Sequence, residues 1–256
     1  MNLLETQHGV QFPPSEPVPM SHREDGGVAT AIILAGGLGT RLRSAVPDLP
    51  KCMAPVNGKP FIGFVTDYFI SQGVKQFIFS LGYMHEVIID YVSKAYPSLN
   101  VIYSIEEEPL GTGGAIKLAC AKATDKNVLV TNGDTLFTVD AKAVIASHKM
   151  HNADCTLSLK PMKDFSRYGV VTLYDDGRVE SFKEKQFYAE GLMNGGLYVL
   201  NVPRFLNEDL PEKFSFEKDY LEKLYAQRNM FGIRQDAYFI DIGIPEDYQR
   251  AQEELK

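Results

Sequence analysis

The chain has 256 residues, 45% of them apolar and 23% charged, which supports a large packed core and excludes a mainly disordered, collagen-like or disulfide-scaffold protein. Cys52, Cys120 and Cys155 form no C-x-x-C pair, so neither a disulfide framework nor a cysteine zinc site is expected and a reducing, cytoplasmic setting fits. A net charge of −7 argues against nucleic acid as the main partner, and no apolar run reaches the roughly 18 residues of a membrane span.

Residues 1–27 carry Pro13, Pro14, Pro17, Pro19 and Gly26-Gly27 without an apolar period and read as a flexible N-terminal extension, with 28–256 as a single domain. The short apolar run 31–35 predicts a strand buried on both faces, and similar runs follow at 76–80, 101–105 and 128–131. Helix-period stretches lie between them at 61–72, 86–96 and 113–123. That alternation predicts parallel strands joined by right-handed crossovers, a doubly wound α/β sheet. Beyond Asp140 the pattern predicts a helix over 141–150, then strands over 156–160, 169–174, 178–183 and 197–200, with a turn at Asp175-Asp176-Gly177. Helices are predicted over 216–227 and 246–254. This mixed, partly antiparallel half is expected to wall the carboxyl ends of the first strands, where open sheets bind ligands.

Directly after the first strand stands Leu34-Ala35-Gly36-Gly37-Leu38-Gly39-Thr40-Arg41-Leu42. Glycines there let backbone N–H groups approach a phosphate, and a following helix start adds positive potential. A plain strand-to-helix turn is the competing reading of such a loop taken alone. A dinucleotide fingerprint starting at Gly37 needs Gly or Ala where Leu42 stands, and a P-loop needs Gly-Lys-Ser/Thr where Gly39-Thr40-Arg41 stands. Ten residues beyond Arg41, Lys51 lies within Leu49-Pro50-Lys51-Cys52-Met53-Ala54-Pro55-Val56-Asn57-Gly58-Lys59-Pro60; three prolines predict an extended, stiff segment that lets the lysine reach the same anion. Asp134, in Asn132-Gly133-Asp134, and Asp241, in Phe239-Ile240-Asp241-Ile242-Gly243, each follow an apolar run and could hold Mg²⁺; a helix cap or Asx turn is the alternative for either alone. His148 and His151 lack a partnering carboxylate motif and read as capping or surface residues. Cys52 has nothing beside it that argues for reactivity.

Taken together, Leu-Ala-Gly-Gly-Leu-Gly-Thr-Arg-Leu followed by Pro-Lys-x-x-x-Pro-Val-x-Gly-Lys-Pro resembles the signature of the sugar-1-phosphate nucleotidyltransferases, over roughly residues 29 to 255. The resemblance implies a Rossmann-like (nucleotidyltransferase), mostly parallel twisted sheet with helices on both faces. It implies nucleotide binding by Leu34, Ala35, Gly36, Gly37, Gly39 and Thr40, with Arg41 on the leaving pyrophosphate and Lys51 on the triphosphate. Asp134 and Asp241 are similar to the family's two Mg²⁺-holding aspartates. Glu184-Lys185 resembles the pair that meets the sugar hydroxyls and its phosphate, and Gly169 and Asn194 stand in segments that resemble the rest of the sugar pocket.

The stretch Glu106 to Ala115, with Gly111 and Thr112, corresponds to the base pocket. Glu106 stands where thymidylyltransferases of this kind place glutamine, and an acceptor-only carboxylate suits the ring N–H and exocyclic amine of guanine, which favours GTP. An exposed acidic run is the plainer reading of the three glutamates. Within the family the resemblance is strongest to guanylyltransferases that act on heptose 1-phosphates, with mannose 1-phosphate enzymes next. The expected partners are GTP and a sugar 1-phosphate, D-glycero-α-D-manno-heptose 1-phosphate first; oligomeric state stays open and is compatible with a homo-oligomer. Alternatives are a catalytically silent nucleotide-sugar-binding homologue, disfavoured by the presence of Arg41, Lys51, Asp134 and Asp241 together, and an NAD-dependent oxidoreductase, disfavoured by the glycine pattern.

Overall fold

The computed structural model describes residues 30–37, 42, 46–183 and 186–256. The extension expected over 1–27 lies outside the described residues, as do Gly39, Thr40, Arg41, Glu184 and Lys185. In chain order the strands and helices are β1 (Thr30–Ala35), β2 (Pro55–Val56), β3 (Lys59–Pro60), α1 (Phe61–Ser71), β4 (Gln76–Leu81), α2 (His85–Ala95), β5 (Asn100–Ile105), α3 (Gly111–Cys120) and β6 (Asn127–Asn132). They continue with β7 (Thr135–Phe137), α4 (Ala141–Met150), β8 (Cys155–Phe165), β9 (Val170–Leu173), β10 (Val179–Lys183), β11 (Tyr188–Asn201), α5 (Val202–Leu206), β12 (Met230–Arg234), β13 (Phe239–Asp241) and α6 (Pro245–Glu254).

The main sheet runs β10-β9-β11-β6-β1-β4-β5, with β8 paired to β11 and β12 to β8. β1 is parallel to β4 and β6, and β4 to β5, whereas β11 is antiparallel to β6. From β1 the chain moves to β4 and β5 on one side and returns to β6 on the other. That reversal creates the crevice at the carboxyl ends of β1 and β6 where such sheets take ligands. Both faces are covered. Ile33, Phe77 and Phe79 pack with Phe61, Ile62, Val65, Ile88 and Val92, while Ile32, Ile78, Val128 and Val130 pack with Ile116, Ala119 and Cys120. Two-sided burial explains why these strands read as continuous apolar runs.

Four elements differ from the sequence expectation. The segment 49–60 is not extended: Lys51–Met53 forms one 3₁₀ turn, and β2 and β3 make a hairpin over Asn57 and Gly58. Both turn residues have positive φ, 48° and 83°, the conformation that an Asn-Gly pair adopts cheaply and that prolines on either side do not prevent. Phe216–Glu222 is a π-type turn rather than an α-helix, which brings Phe216, Tyr220 and Leu221 to one buried face because residue i+5 then lies beneath residue i. β8 and β11 run far past the expected 156–160 and 197–200, carrying Pro161 and Gly191 inside their ladder. Among the described residues, no helix is long and apolar enough to cross a membrane.

His148 is not on the surface. It is 1% exposed, with Nδ1 2.9 Å from Thr156 Oγ1 and Nε2 3.2 Å from Asn127 Oδ1, whereas His151 does cap α4 and stacks on Phe231. Last-turn periodicity could not reveal that β6 and β8 cover this side of α4. The neutral imidazole with its proton on Nε2 donates to Asn127 and accepts from Thr156, so both rings of partners are satisfied without charge. Burial lowers the His148 pKa to about 4. The unfolded chain therefore binds one more proton between about pH 6.5 and 4, and stability complete above that window falls as the pH drops through it. Urea titrations across this range should show a loss of roughly 3 kcal/mol from this group; in His148→Gln the decline should be shallower by that amount, and identical pH slopes would exclude it.

Candidate active site

The turn that follows β6 is held against the end of β1. Gly133 donates its N–H to the Leu34 carbonyl at 2.8 Å, and a Cβ at 133 would lie 2.9 Å from that oxygen, so only glycine allows the approach. Asp134 therefore emerges beside the glycine bend after β1. β7 starts one residue later and pairs antiparallel with β13, Thr135 opposite Asp241, while the Ile242 N–H donates to the Asp134 carbonyl at 3.1 Å. This small ladder places the two aspartates side by side.

Lys51 comes to the same place from the 3₁₀ turn, anchored by buried Cys52 and Met53. Its Nζ is 2.5 Å from Asp134 Oδ2 and 3.4 Å from Asp241 Oδ1. Burial by itself would lower the ammonium's pKa, but the charges and hydrogen bonds of Asp134 and Asp241 prevail and raise it, so Lys51 is a fixed cation. Burial, helped by Asp134, pushes the Cys52 thiol up to about 12, which leaves it unreactive.

Asp241 is held further. Its Oδ1 accepts the Gly243 N–H at 2.7 Å, and its Oδ2 accepts Arg167 Nη2 at 3.2 Å. Arg167 also pairs with Asp247, which binds Arg250 at 3.0 Å. Arg167 carries no local signal, because its partners lie 74 and 80 residues away.

At the other end of the crevice, the Glu106 N–H donates to Leu81 O and the Glu106 carboxylate accepts the Leu110 N–H, both at 2.8 Å. Burial raises the Glu106 pKa, opposed by the Leu110 hydrogen bond. A Cβ on Gly36 would come within 2.8 Å of Glu106 Oε1, so glycine at 36 leaves room for that carboxylate. On the opposite wall the Asn194 N–H donates to Gly169 O at 2.8 Å, and Asn194 Nδ2 donates to the Tyr198 hydroxyl at 2.7 Å.

One cleft of about 1150 Å³ joins these ends; Leu34, Gly36, Gly37, Lys51, Glu106, Gly111, Thr112, Asp134, Gly169, Asn194 and Asp241 all line it. Ala35 does not, since it points into the core and is 6% exposed. Tyr83, His85, Ser215 and Glu217 also line the cleft; they sit in a loop, at a helix start and in a turn whose sequences carry no motif.

The glycines of the first turn of α3 serve packing. Gly113 donates its N–H to Phe214 O at 2.9 Å and Phe214 donates to Leu110 O at 3.0 Å, which seats the 212–218 strap on the base-side loop. A Cβ at Gly111 or Gly114 would come within 2.5 Å of Phe214 O or 2.3 Å of Glu212 O.

Could this site hold a divalent cation? Two carboxylates already converge on one positive atom, Lys51 Nζ, and both offer hard oxygen donors suited to Mg²⁺-like ions. Among the described residues no third His, Cys, Asp or Glu joins them, which matches a cation that takes the rest of its shell from phosphate and water. The residues fit such an ion.

A crevice at the reversal point of a mostly parallel sheet, with a fixed cation, two convergent carboxylates and a glycine bend, is built to grip a polyphosphate. The chain matches the nucleotidyl transferase family model over residues 30–256 and belongs to that family, whose enzymes generally use a divalent metal. It is 54% identical over 226 residues to D-glycero-alpha-D-manno-heptose 1-phosphate guanylyltransferase of Aneurinibacillus thermoaerophilus, covering 88% of this chain and 98% of that one. To the protein of the same name from Campylobacter jejuni it is 46% identical over 218 residues, 85% of this chain and 96% of that one. The crystal structure of HddC from Yersinia pseudotuberculosis complexed with GMP-PN superposes with a TM-score of 0.80 at 42% identity, over 90% of this chain and all of that one.

Gly113→Ala tests the strap packing. Its Cβ would fall 2.1 Å from the Phe214 ring, and overpacking of this kind typically costs about 1–3 kcal/mol. Urea denaturation should show that loss; a variant as stable as the wild type would mean the strap yields freely.

Proposed function

We propose that this protein transfers GMP from GTP to D-glycero-α-D-manno-heptose 1-phosphate, releasing pyrophosphate and forming the GDP-sugar. The reading is carried by one observation: Lys51, Asp134 and Asp241 meet in a cleft that also holds Glu106 at one end and Asn194 at the other. The names of the two relatives, and the GMP-PN bound to HddC, support guanine and heptose as the substrate class.

The reaction needs no covalent enzyme intermediate. A phosphate oxygen of the sugar 1-phosphate is already a nucleophile and the α-phosphorus already an electrophile, so the protein aligns them in line and offsets their mutual repulsion. Lys51, kept charged by its two carboxylates, stabilises the triphosphate and the charge that builds on the leaving pyrophosphate. Leu34, Gly36 and Gly37 border the phosphates; by the sequence resemblance Gly39 and Thr40 bind there too, Arg41 assists, and Lys185 receives the incoming phosphate. Asp134 and Asp241 hold Mg²⁺, which when bound neutralises part of the polyphosphate charge. Glu106 accepts from guanine while the Leu110 N–H fixes its orientation. Gly111 and Thr112 border the base and Gly169 and Asn194 the sugar, with Glu184 added to the sugar side by the sequence resemblance. We infer one catalytic domain over 28–256, and a cytoplasmic location consistent with three unpaired, buried cysteines.

Pyrophosphate release with GTP and the heptose 1-phosphate, against a panel of other triphosphates and mannose 1-phosphate, is the direct test. Lys51→Ala and Asp134→Ala should each lower kcat/KM at least a hundredfold, about 3 kcal/mol or more, with an unchanged circular dichroism spectrum; near-normal turnover in either would refute the assignment. In Glu106→Gln the ratio of GTP to dTTP turnover should drop, since the amide presents a donor as well as an acceptor. An unaltered ratio removes Glu106 from base reading.

A further inference from the structure

Between the base end and the sugar end of the cleft stands a carboxylate that the mechanism does not use. Glu217 Oε2 accepts from Thr112 Oγ1 at 2.8 Å and from Ser215 Oγ at 3.2 Å. Both hydroxyls are themselves anchored: the Phe216 N–H donates to Thr112 Oγ1 at 2.9 Å and the Lys218 N–H to Ser215 Oγ at 3.2 Å, which leaves each O–H proton to point at Glu217. The result is a half-buried carboxylate with one oxygen supplied by two fixed donors and the other, Oε1, without a hydrogen-bond partner among the described residues.

Among the described residues Glu217 makes no salt bridge, whereas the cleft carboxylates at 134 and 241 share Lys51. A carboxylate held in place on one side and open on the other, on the wall of a ligand cleft, offers a ligand an acceptor that is already oriented. Phe216, the residue before Glu217, packs edge-on against the Tyr198 ring at 4.9 Å, and the Tyr198 hydroxyl accepts from Asn194 Nδ2. Glu217 is also close enough to Tyr198 to add, after burial, to the rise in that phenol's pKa. The strap, tied to the base-side loop through Thr112, thus also reaches the wall that carries Asn194.

We propose that Glu217 is a substrate-binding residue whose free carboxylate oxygen accepts a hydrogen bond from a hydroxyl of the sugar 1-phosphate. The proposal rests on the transferase reading above, but not on which sugar is the natural one.

Glu217→Gln is the decisive variant. Its amide carbonyl still accepts from Thr112 and Ser215, so the strap stays in place, while the group offered to the ligand changes from acceptor to donor. In pyrophosphate-release kinetics the KM for the sugar 1-phosphate should rise about tenfold or more, the KM for GTP should stay within about twofold, and the thermal midpoint should not move. Glu217→Ala should show the same sugar effect. An unchanged sugar KM in both variants overturns the proposal, and so does a rise confined to the KM for GTP that disappears with 2′-deoxy-GTP, which would assign the carboxylate to the ribose. Wild-type protein is run with heptose and mannose 1-phosphates: failure with heptose alone sinks the substrate reading and leaves Glu217 to be judged on mannose 1-phosphate, whereas failure with both sinks the two together.

Discussion

An ammonium held between two carboxylates is the contact around which this molecule is arranged. Lys51 lies 83 residues from Asp134 and 190 from Asp241, so the contact exists only if three separate parts of the chain are brought to one point. Charges at this depth are costly to leave unpaired, and a buried ion pair seldom adds net stability over apolar packing. The grouping is therefore better explained by what it can grip than by what it contributes to folding. Its geometry follows from the β7–β13 ladder, which sets Asp241 opposite Thr135, and from the Gly133 turn, which sets Asp134 beside β1.

The remainder of the cleft is built by close approach. Gly36 leaves space for Glu106, and Gly111, Gly113 and Gly114 let the 212–218 strap lie directly on the start of α3. The glycines around the cleft divide into two kinds. Some border the ligand space, and others exist because another backbone or an aromatic ring occupies the volume a side chain would need.

What could be read from the chain was local. β1, β4, β5 and β6 were legible because burial on both faces makes each a continuous apolar run, and Asp134 and Lys51 were legible because each stands in a compact motif. β7 and β13 were not, since three residues carry no period. The Asn57-Gly58 turn was open to prediction from its letters, but the neighbouring prolines drew the reading toward an extended segment. Arg167 and Glu217 were hidden for a different reason: Arg167 finds Asp241 74 residues on, and Glu217 finds Thr112 105 residues back. Each reads as an ordinary surface charge until topology supplies its partner. His148 was misread in the same way, because the strands that cover it lie elsewhere in the sequence.

The two aspartates are not equivalent, and the difference bears on how the cleft accommodates a ligand. Asp241 is fixed from three directions, by Lys51, the Gly243 N–H and Arg167, and through Arg167 and Asp247 its position is tied to α6. Its side chain is 16% exposed against 29% for Asp134, which is held by Lys51 and a long contact to its neighbour Thr135 at 3.3 Å. Alignment of two reactants needs at least one rigid reference point; the contacts of Asp241 give the cleft one, while Asp134 keeps more freedom and Lys51 spans both.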